Sequence, residues 1–491
     1  MRSLRLMGVI ALFRLVSGAV AWVPLTVGAA SADTGLQALI ERGAYIAREA
    51  DCEACHIGPD GTPYAGGKAI HSPLGAIIAP NITPSKTFGI GGWHEAAFAK
   101  AIRHGVSPHG HLYPAMPYTS YAGMSDRDVH ALFTYLQHNV TAIDAGPTVE
   151  TRLPFPFNVR SLMAGWNGLF ARGRPVDDAR DQAGSVARGR YLVDVMGHCS
   201  VCHSPRNSLL GEDKRRYLGG AVVGGWYAPS ITSDKISGIG AWRDDELFTF
   251  LKTGAVHGKA QASGGMAEAI EHGLSHLSND DLYSIVRYLK TVPPLRDAGQ
   301  MEPAFARHPQ QELTFEALHL GESRAAAALS DGASLNGEQI FIGACASCHQ
   351  LNGAGTRDQF YPALFANTAT GGMTPRNLVM SILTGVHREV GGHIVSMPHF
   401  ADELSDAQVA AVSNYVLQRF GNPKLSVTAA DVDQFRRGDD RPLLMTMFMR
   451  LGEISGSGGL AAAGVAALAW LERRARQRKF AEAEMPLPPD A

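Results

Sequence analysis

The six cysteines of this 491-residue chain fall in three pairs, Cys52 and Cys55, Cys199 and Cys202, Cys345 and Cys348, and each pair is followed at once by a histidine: His56, His203 and His349. Two thiols separated by two residues on a helical turn can bond both vinyl groups of one porphyrin. The adjacent histidine then lies beneath the iron as proximal ligand. The pattern predicts three covalent haems c, one per motif. A thioredoxin-like dithiol sits at a βαβ boundary, and a four-cysteine zinc site needs no histidine after every pair. The spacing also sets aside the disulfides that six cysteines would invite in an oxidising compartment.

A sixth iron ligand must come from the far side of each unit. The candidates are Met116 in Tyr113-Pro114-Ala115-Met116-Pro117-Tyr118, Met266, and Met397 in Ser396-Met397-Pro398. A methionine in such a place is by default a core filler, but recurrence in three repeats favours ligation. Met124, Met373 and Met380 are rivals, and His109 or His111 could ligate the first iron instead. Met266 lacks the proline that follows the other two. An iron held by histidine and methionine has no open position for substrate, so the predicted role is electron transfer and no catalytic residue is assigned. The chain has no G-x-G-x-x-G after a strand, no Walker loop and no G-x-S-x-G elbow.

The elements that position these residues form a unit repeated three times. The openings are Arg42-Gly43-Ala44-Tyr45, Arg188-Gly189-Arg190-Tyr191 and Gly337-Glu338-Gln339-Ile340, each a short amphipathic helix ahead of its cysteines. Units one and two share a loop, Pro80-Asn81-Ile82-Thr83 and Pro229-Ser230-Ile231-Thr232, which unit three lacks. Helical patterns over 98–105, 247–254 and 378–385 end on glycine. A closing helix follows a serine cap with a partner three residues on: Ser125/Asp128, Ser278/Asp281, Ser405/Gln408. The reading is all-α, with three tandem domains at 33–175, 180–300 and 330–425 and linkers at 142–156 and 323–334.

Residues 1–32, basic at Arg2 and Arg5, apolar over 6–27 and ending Ala30-Ser31-Ala32, read as a secretory signal cut before Asp33. Residues 454–471 carry no charge and precede a cluster with Arg473, Arg474, Arg476, Arg478 and Lys479. The segment 445–480 therefore reads as a C-terminal membrane anchor with a basic tail, spanning or interfacial, which would place the chain on the periplasmic face of the bacterial inner membrane. Outside these basic ends the net charge is about −9, which offers no footprint for nucleic acid.

Several stretches carry a resemblance: Asn81-Ile82-Thr83-Pro84, Gly89-Ile90-Gly91, Leu153-Pro154-Phe155-Pro156-Phe157, Cys202-His203-Ser204-Pro205-Arg206-Asn207 and Met266-Ala267-Glu268-Ala269-Ile270. With the motif around Met116, they make the chain similar to the triheme cytochrome c subunits of membrane-bound sugar, polyol and alcohol dehydrogenases. The resemblance implies class I cytochrome c folds, a large dehydrogenase subunit with FAD or PQQ, a small third subunit, and ubiquinone as acceptor. A flavoprotein fructose, sorbitol or gluconate dehydrogenase is the first expectation for the partner, PQQ alcohol dehydrogenase the second and a molybdenum hydroxylase the third. Ser204 and Ser230 stand where the family often has threonine and asparagine. A stand-alone carrier feeding an oxidase, and a multihaem peroxidase, are the alternatives of other classes.

Overall fold

In a computed structural model of the chain, which describes residues 27–176, 184–308 and 334–438, each unit opens with a helix that leads into its cysteine motif. These helices are Val27–Glu49, Val186–Tyr191 and Gly337–Ile340. The first breaks at Asp51, whose backbone is left-handed, and restarts as Cys52–His56. The other two widen instead into π-helical turns, Leu192–Met196 and Phe341–Cys345, before Ser200–His203 and Ala346–His349.

The closing helices are Asp126–His138, Asn279–Thr291 and Asp406–Arg419. Their first turns are capped because the hydroxyls of Ser125, Ser278 and Ser405 accept from the backbone N–H groups of Asp128, Asp281 and Gln408, satisfying donors that a helix start leaves unpaired. Opening and closing helices cross where only a hydrogen fits. A Cβ on Gly43, Gly189 or Gly337 would stand 2.1, 1.9 or 2.2 Å from the carbonyl oxygen of Ala131, Ser284 or Ala411.

The all-α expectation is corrected. Five two-stranded antiparallel sheets lie among the described residues: Ala69–Ser72 with Gly75–Ile78, Val106–Ser107 with Gly110–His111, Ala221–Val223 with Trp226–Ala228, Ala255–Val256 with Ala260–Gln261, and Val386–Val390 with His393–Met397. Two of them turn on adjacent glycines at positive φ, Gly224-Gly225 and Gly391-Gly392, the backbone that tight hairpins need.

The expected membrane attachment is corrected as well. No helix among the described residues is long and apolar enough to cross a membrane, so neither a membrane-attaching C-terminal helix nor placement on the inner-membrane face is supported. The segment 445–480 lies outside the described residues, as do 1–26 of the expected signal and 323–333 of the second expected linker.

One apolar core runs through units one and two, from Ile46 to Val292, and a second fills unit three, from Ile340 to Phe435. Helix Ala429–Arg437 adds Val432 and Phe435 to that second core. Beside their shared core, units one and two also exchange buried polar contacts in a reciprocal pattern. Arg42 Nε donates to Asp128 Oδ1 (3.0 Å) and Arg188 Nε to Asp281 Oδ1 (2.7 Å), each pairing an opening helix with its own closing helix. The tyrosines cross over: Tyr45 donates to Asp281 Oδ2 (2.7 Å) and Tyr191 to Asp128 Oδ2 (2.6 Å). Each phenol oxygen accepts in turn from a cap N–H of the other unit, Ser278 for Tyr45 and Ser125 for Tyr191. Glu49 breaks the symmetry by taking a further hydrogen bond from Arg188.

Candidate functional site

Each motif histidine is aimed by a backbone carbonyl. His56 Nδ1 lies 2.7 Å from the carbonyl oxygen of Pro80, His203 Nδ1 2.7 Å from that of Pro229, and His349 Nδ1 3.0 Å from that of Pro362. A carbonyl only accepts, so Nδ1 carries the proton and Nε2 presents its lone pair; this is the arrangement that orients an imidazole ligand toward a metal. Burial pulls all three imidazoles below the ordinary histidine value, only partly offset by these hydrogen bonds, and the neutral form is the one that ligates.

A glycine holds each proline loop in place. The carbonyls of His56, His203 and His349 accept from the N–H groups of Gly66, Gly220 and Gly355 (2.8, 2.8 and 3.0 Å). All three glycines have positive φ, at 74°, 88° and 64°. A Cβ on Gly66 would stand 2.4 Å from the carbonyl carbon of Pro80, and one on Gly355 2.0 Å from the carbonyl oxygen of Tyr361. Sequence comparison aligned Pro80 with Pro229 but gave no sign that unit three replaces the shared loop with Tyr361-Pro362; a carbonyl leaves no residue-type signature.

No two of the six cysteines are joined as a disulfide. Burial pushes the thiols of Cys52, Cys199 and Cys345 up to about 12 and that of Cys55 up to about 11. By surface exposure five of the six cysteines are half-buried. Cys202 is exposed, and Cys348 is half-buried with its Sγ 3.9 Å from the Ser347 hydroxyl, a weak donor contact. A reactive dithiol depends on an accessible thiolate at ordinary pH, and the raised thiols of Cys52, Cys199 and Cys345 oppose that. Among the described residues no group of three or more histidine, cysteine, aspartate or glutamate side chains converges as a metal site. The donor set at each motif is thus one imidazole flanked by two thiols on the same helical turn, which fits covalent haem.

All three methionine candidates are half-buried and packed on the cores: Met116 follows the hairpin Val106–Ser107/Gly110–His111, Met266 stands in the first turn of helix Gly264–His272, and Met397 ends strand His393–Met397. Of the rivals, Met124 is wholly buried in the first core, Met380 packs within helix Arg376–Thr384 against Gly225, and Met373 is exposed. His109 is exposed beside Trp93, while His111 is half-buried with Nδ1 unpaired.

Motifs one and two meet through Tyr121. Its hydroxyl donates to the carbonyl of Ala50 (2.6 Å), two residues before Cys52, and its ring meets edge-on that of His198, one residue before Cys199, with centroids 5.6 Å apart. Hairpin Ala255–Val256/Ala260–Gln261 of unit two faces the Pro362 loop of unit three across a small cavity lined by Val256, Gln261, Gln359, Pro362 and Phe365.

Comparison with known proteins completes the assignment. A family model described as cytochrome c oxidase, cbb3-type, subunit III matches residues 38–136 and 332–416, in units one and three. The fructose dehydrogenase cytochrome subunit of Gluconobacter japonicus is 42% identical over 89% of this chain and 92% of its own length. The gluconate 2-dehydrogenase cytochrome c subunit of Pantoea cypripedii is 37% identical over 84% and 93%. The cytochrome c subunit of the quinone alcohol dehydrogenase of Gluconacetobacter polyoxogenes is 35% identical over 81% and 84%. Fold and site together define a c-type cytochrome with covalent haem. The chain belongs to the family of dehydrogenase cytochrome c subunits, and electron transfer from a dehydrogenase is its function.

Proposed function

We propose that the chain carries three haems c, the first at Cys52, Cys55 and His56, the second at Cys199, Cys202 and His203, and the third at Cys345, Cys348 and His349. Met116, Met266 and Met397 are the proposed sixth ligands, and the electrons pass from an FAD-dependent sugar, polyol or gluconate dehydrogenase to ubiquinone. The observation that carries this reading is the threefold recurrence of a motif histidine whose Nδ1 is tied to a proline carbonyl. Haem c supplies one-electron iron chemistry, tuned by its axial ligands and their hydrogen bonds. The chain's own part is to fix the imidazoles, to keep water from the buried faces and to space the units. Contacts through Tyr121 link motifs one and two, and the Pro362 loop abuts unit two, which supports stepwise transfer within one chain. A large dehydrogenase subunit and a small subunit complete the proposed complex. The relatives named for fructose and gluconate favour the flavoprotein partner, and the alcohol dehydrogenase relatives keep a PQQ partner as the second reading.

The test follows the haem c α-band in extracts of the native host and of a strain lacking this gene. Air-oxidised extracts receive fructose, sorbitol, gluconate or ethanol, and then a short-chain ubiquinone. Reduction by one substrate only when the gene is present, reoxidation by the quinone, and three haems per purified chain are expected. If ascorbate reduces the band but no substrate does, the chain is a stand-alone carrier; two haems per chain would remove one of the three sites.

A further inference from the structure

Units one and two treat the loop before their candidate sixth ligand differently. In unit one, helix Glu95–His104 ends on Gly105 at φ 62°, and the Gly105 carbonyl accepts from the N–H of Leu112 (2.8 Å). The open face of that glycine is covered by the ring of Tyr118: a Cβ on Gly105 would lie 2.7 Å from it. Tyr118 follows Met116 by two residues and is wholly buried. Unit one thus clamps its own methionine loop with the Pro117-Tyr118 pair that comes next.

Unit two keeps the frame and lacks the clamp. Helix Asp244–Thr253 ends on Gly254 at φ 79°, and the Gly254 carbonyl accepts from the N–H of Ala262 (2.8 Å). Met266 is followed by Ala267 and Glu268 in a helix, so no aromatic ring arrives. The place is taken by the guanidinium of Arg388, from strand Val386–Val390 of unit three: a Cβ on Gly254 would lie 2.5 Å from its Nε. Arg388 Nη1 donates to the carbonyl of Ala262 (2.7 Å) and Nη2 to Oε1 of Gln261 (3.1 Å). The residue is 2% exposed, and among the described residues no carboxylate lies within ion-pair distance of it. Both hydrogen-bond acceptors of the guanidinium are neutral, and the more distant charge of Glu271 only partly offsets the cost of burying it, so these two acceptors fix where it sits. Val390 of the same strand packs beside Met266 on Ala262, Ala267 and Ile270. The strand paired with it ends at Met397, opposite Val386.

We infer that Arg388 is a positioning residue for the sixth ligand of the second haem, supplied across the unit boundary to replace the clamp that unit one makes with Tyr118. The inference rests on Met266 being that ligand. It makes ligation in unit two depend on the docking of unit three, through the same hairpin that carries Met397.

The experiment uses the full chain, oxidised, and reads the near-infrared methionine-to-iron charge-transfer band together with a spectroelectrochemical titration resolved into components. Met266→Leu first marks the component that belongs to unit two. Arg388→Met is expected to cut that component's band by at least half and move its potential toward the Met266→Leu value, with the other components at wild-type positions. Arg388→Lys is expected to restore part of the band. If Arg388→Met leaves the band and potentials at wild type while Met266→Leu removes one component, the clamp is overturned and the ligand assignment stands. If Met266→Leu itself changes nothing, both fall. Loss of all components together would show general unfolding and also overturn the inference. Should Arg388→Met fail to accumulate, Gln261→Met, which removes one acceptor of the guanidinium, must shift the same component, and an unchanged component overturns the inference.

Discussion

At the boundary between units one and two, Arg42 and Arg188 face Asp128, Asp281 and Glu49, and the three carboxyls do not share the available charge equally. Burial raises Asp128 and Asp281, but hydrogen bonds and charges together, led by Tyr191 and Arg42 for Asp128 and by Arg188 and Tyr45 for Asp281, more than reverse this and hold both below the ordinary carboxylate range. Burial pushes Glu49 up to about 8 although the Arg188 guanidinium opposes it, and the charges of Asp281 and Asp128 add to the rise. A carboxyl that holds its proton more tightly in the folded chain favours folding in full below its unfolded value of 4.5, and that contribution is lost as pH rises through about 8. The span sets a ceiling of roughly 5 kcal/mol. Glu49→Gln keeps a neutral side chain with an oxygen for Arg188 and removes the titration. The variant should match the wild type near pH 5 and exceed it at pH 8.5 by a few kcal/mol, on the order of 10 °C in melting temperature for a module of this size. Melting curves of both proteins at the two pH values decide the matter. Parallel pH dependences, with no gain for the variant at the higher pH, would refute the protonated Glu49.

Gly66→Ala should destabilise unit one by about 2 to 3 kcal/mol, from forcing a side chain into left-handed backbone and from pressing the Pro80 carbonyl off His56; a melt, with the haem content per chain, checks it. Tyr191→Phe removes a hydrogen bond to a buried carboxylate and the acceptor for Ser125 N–H, at a cost of about 1.5 to 3 kcal/mol. Tyr45→Phe should cost a similar amount, as chemical denaturation of the single and double variants will show. Met116→Ala should leave haem attachment intact and lower the potential of one haem in a redox titration; an unchanged set of potentials would reject Met116 as ligand.

What was legible in the sequence was local. The cysteine–histidine spacing, the serine caps and the glycine stops sit within a few residues of what they control, so a single window contains both signal and effect. The hairpins escaped because strands of two to five residues are too short to establish an alternation. Their turns were nevertheless written in Gly224-Gly225 and Gly391-Gly392. The proline carbonyls that aim the histidines escaped because every residue has a carbonyl. Glu49 and Arg388 escaped because a charged side chain is ordinarily solvated, and their partners lie 139 and 126 residues away in the chain.

The same difference in range explains why three copies of one unit are not interchangeable. In unit one, Asn81 Nδ2 donates to the carbonyls of Ile143 and Ala145 (2.8 and 2.9 Å), stitching down the segment after the closing helix. Ser230 in unit two is too short to do this and reaches only Thr232 (3.0 Å); there the segment is held by Arg296 on Asp234 (2.8 Å) and by Leu295 N–H on Thr232 (3.2 Å). Unit two also lacks the aromatic clamp after its methionine and has Arg388 of unit three on the glycine that the clamp would cover. It is bound to unit one by reciprocal tyrosine–aspartate bonds, and to unit three by that guanidinium and by the paired amide of Asn377 on the Tyr227 backbone (2.9 Å each way). A unit flanked on both sides can give up internal fastenings that an end unit must keep, because its neighbours restrict the same loops. On this argument unit two, cut out alone, would be the least able of the three to hold its methionine loop, whereas units one and two together would retain the buried tyrosine–aspartate exchange and lose only what unit three supplies.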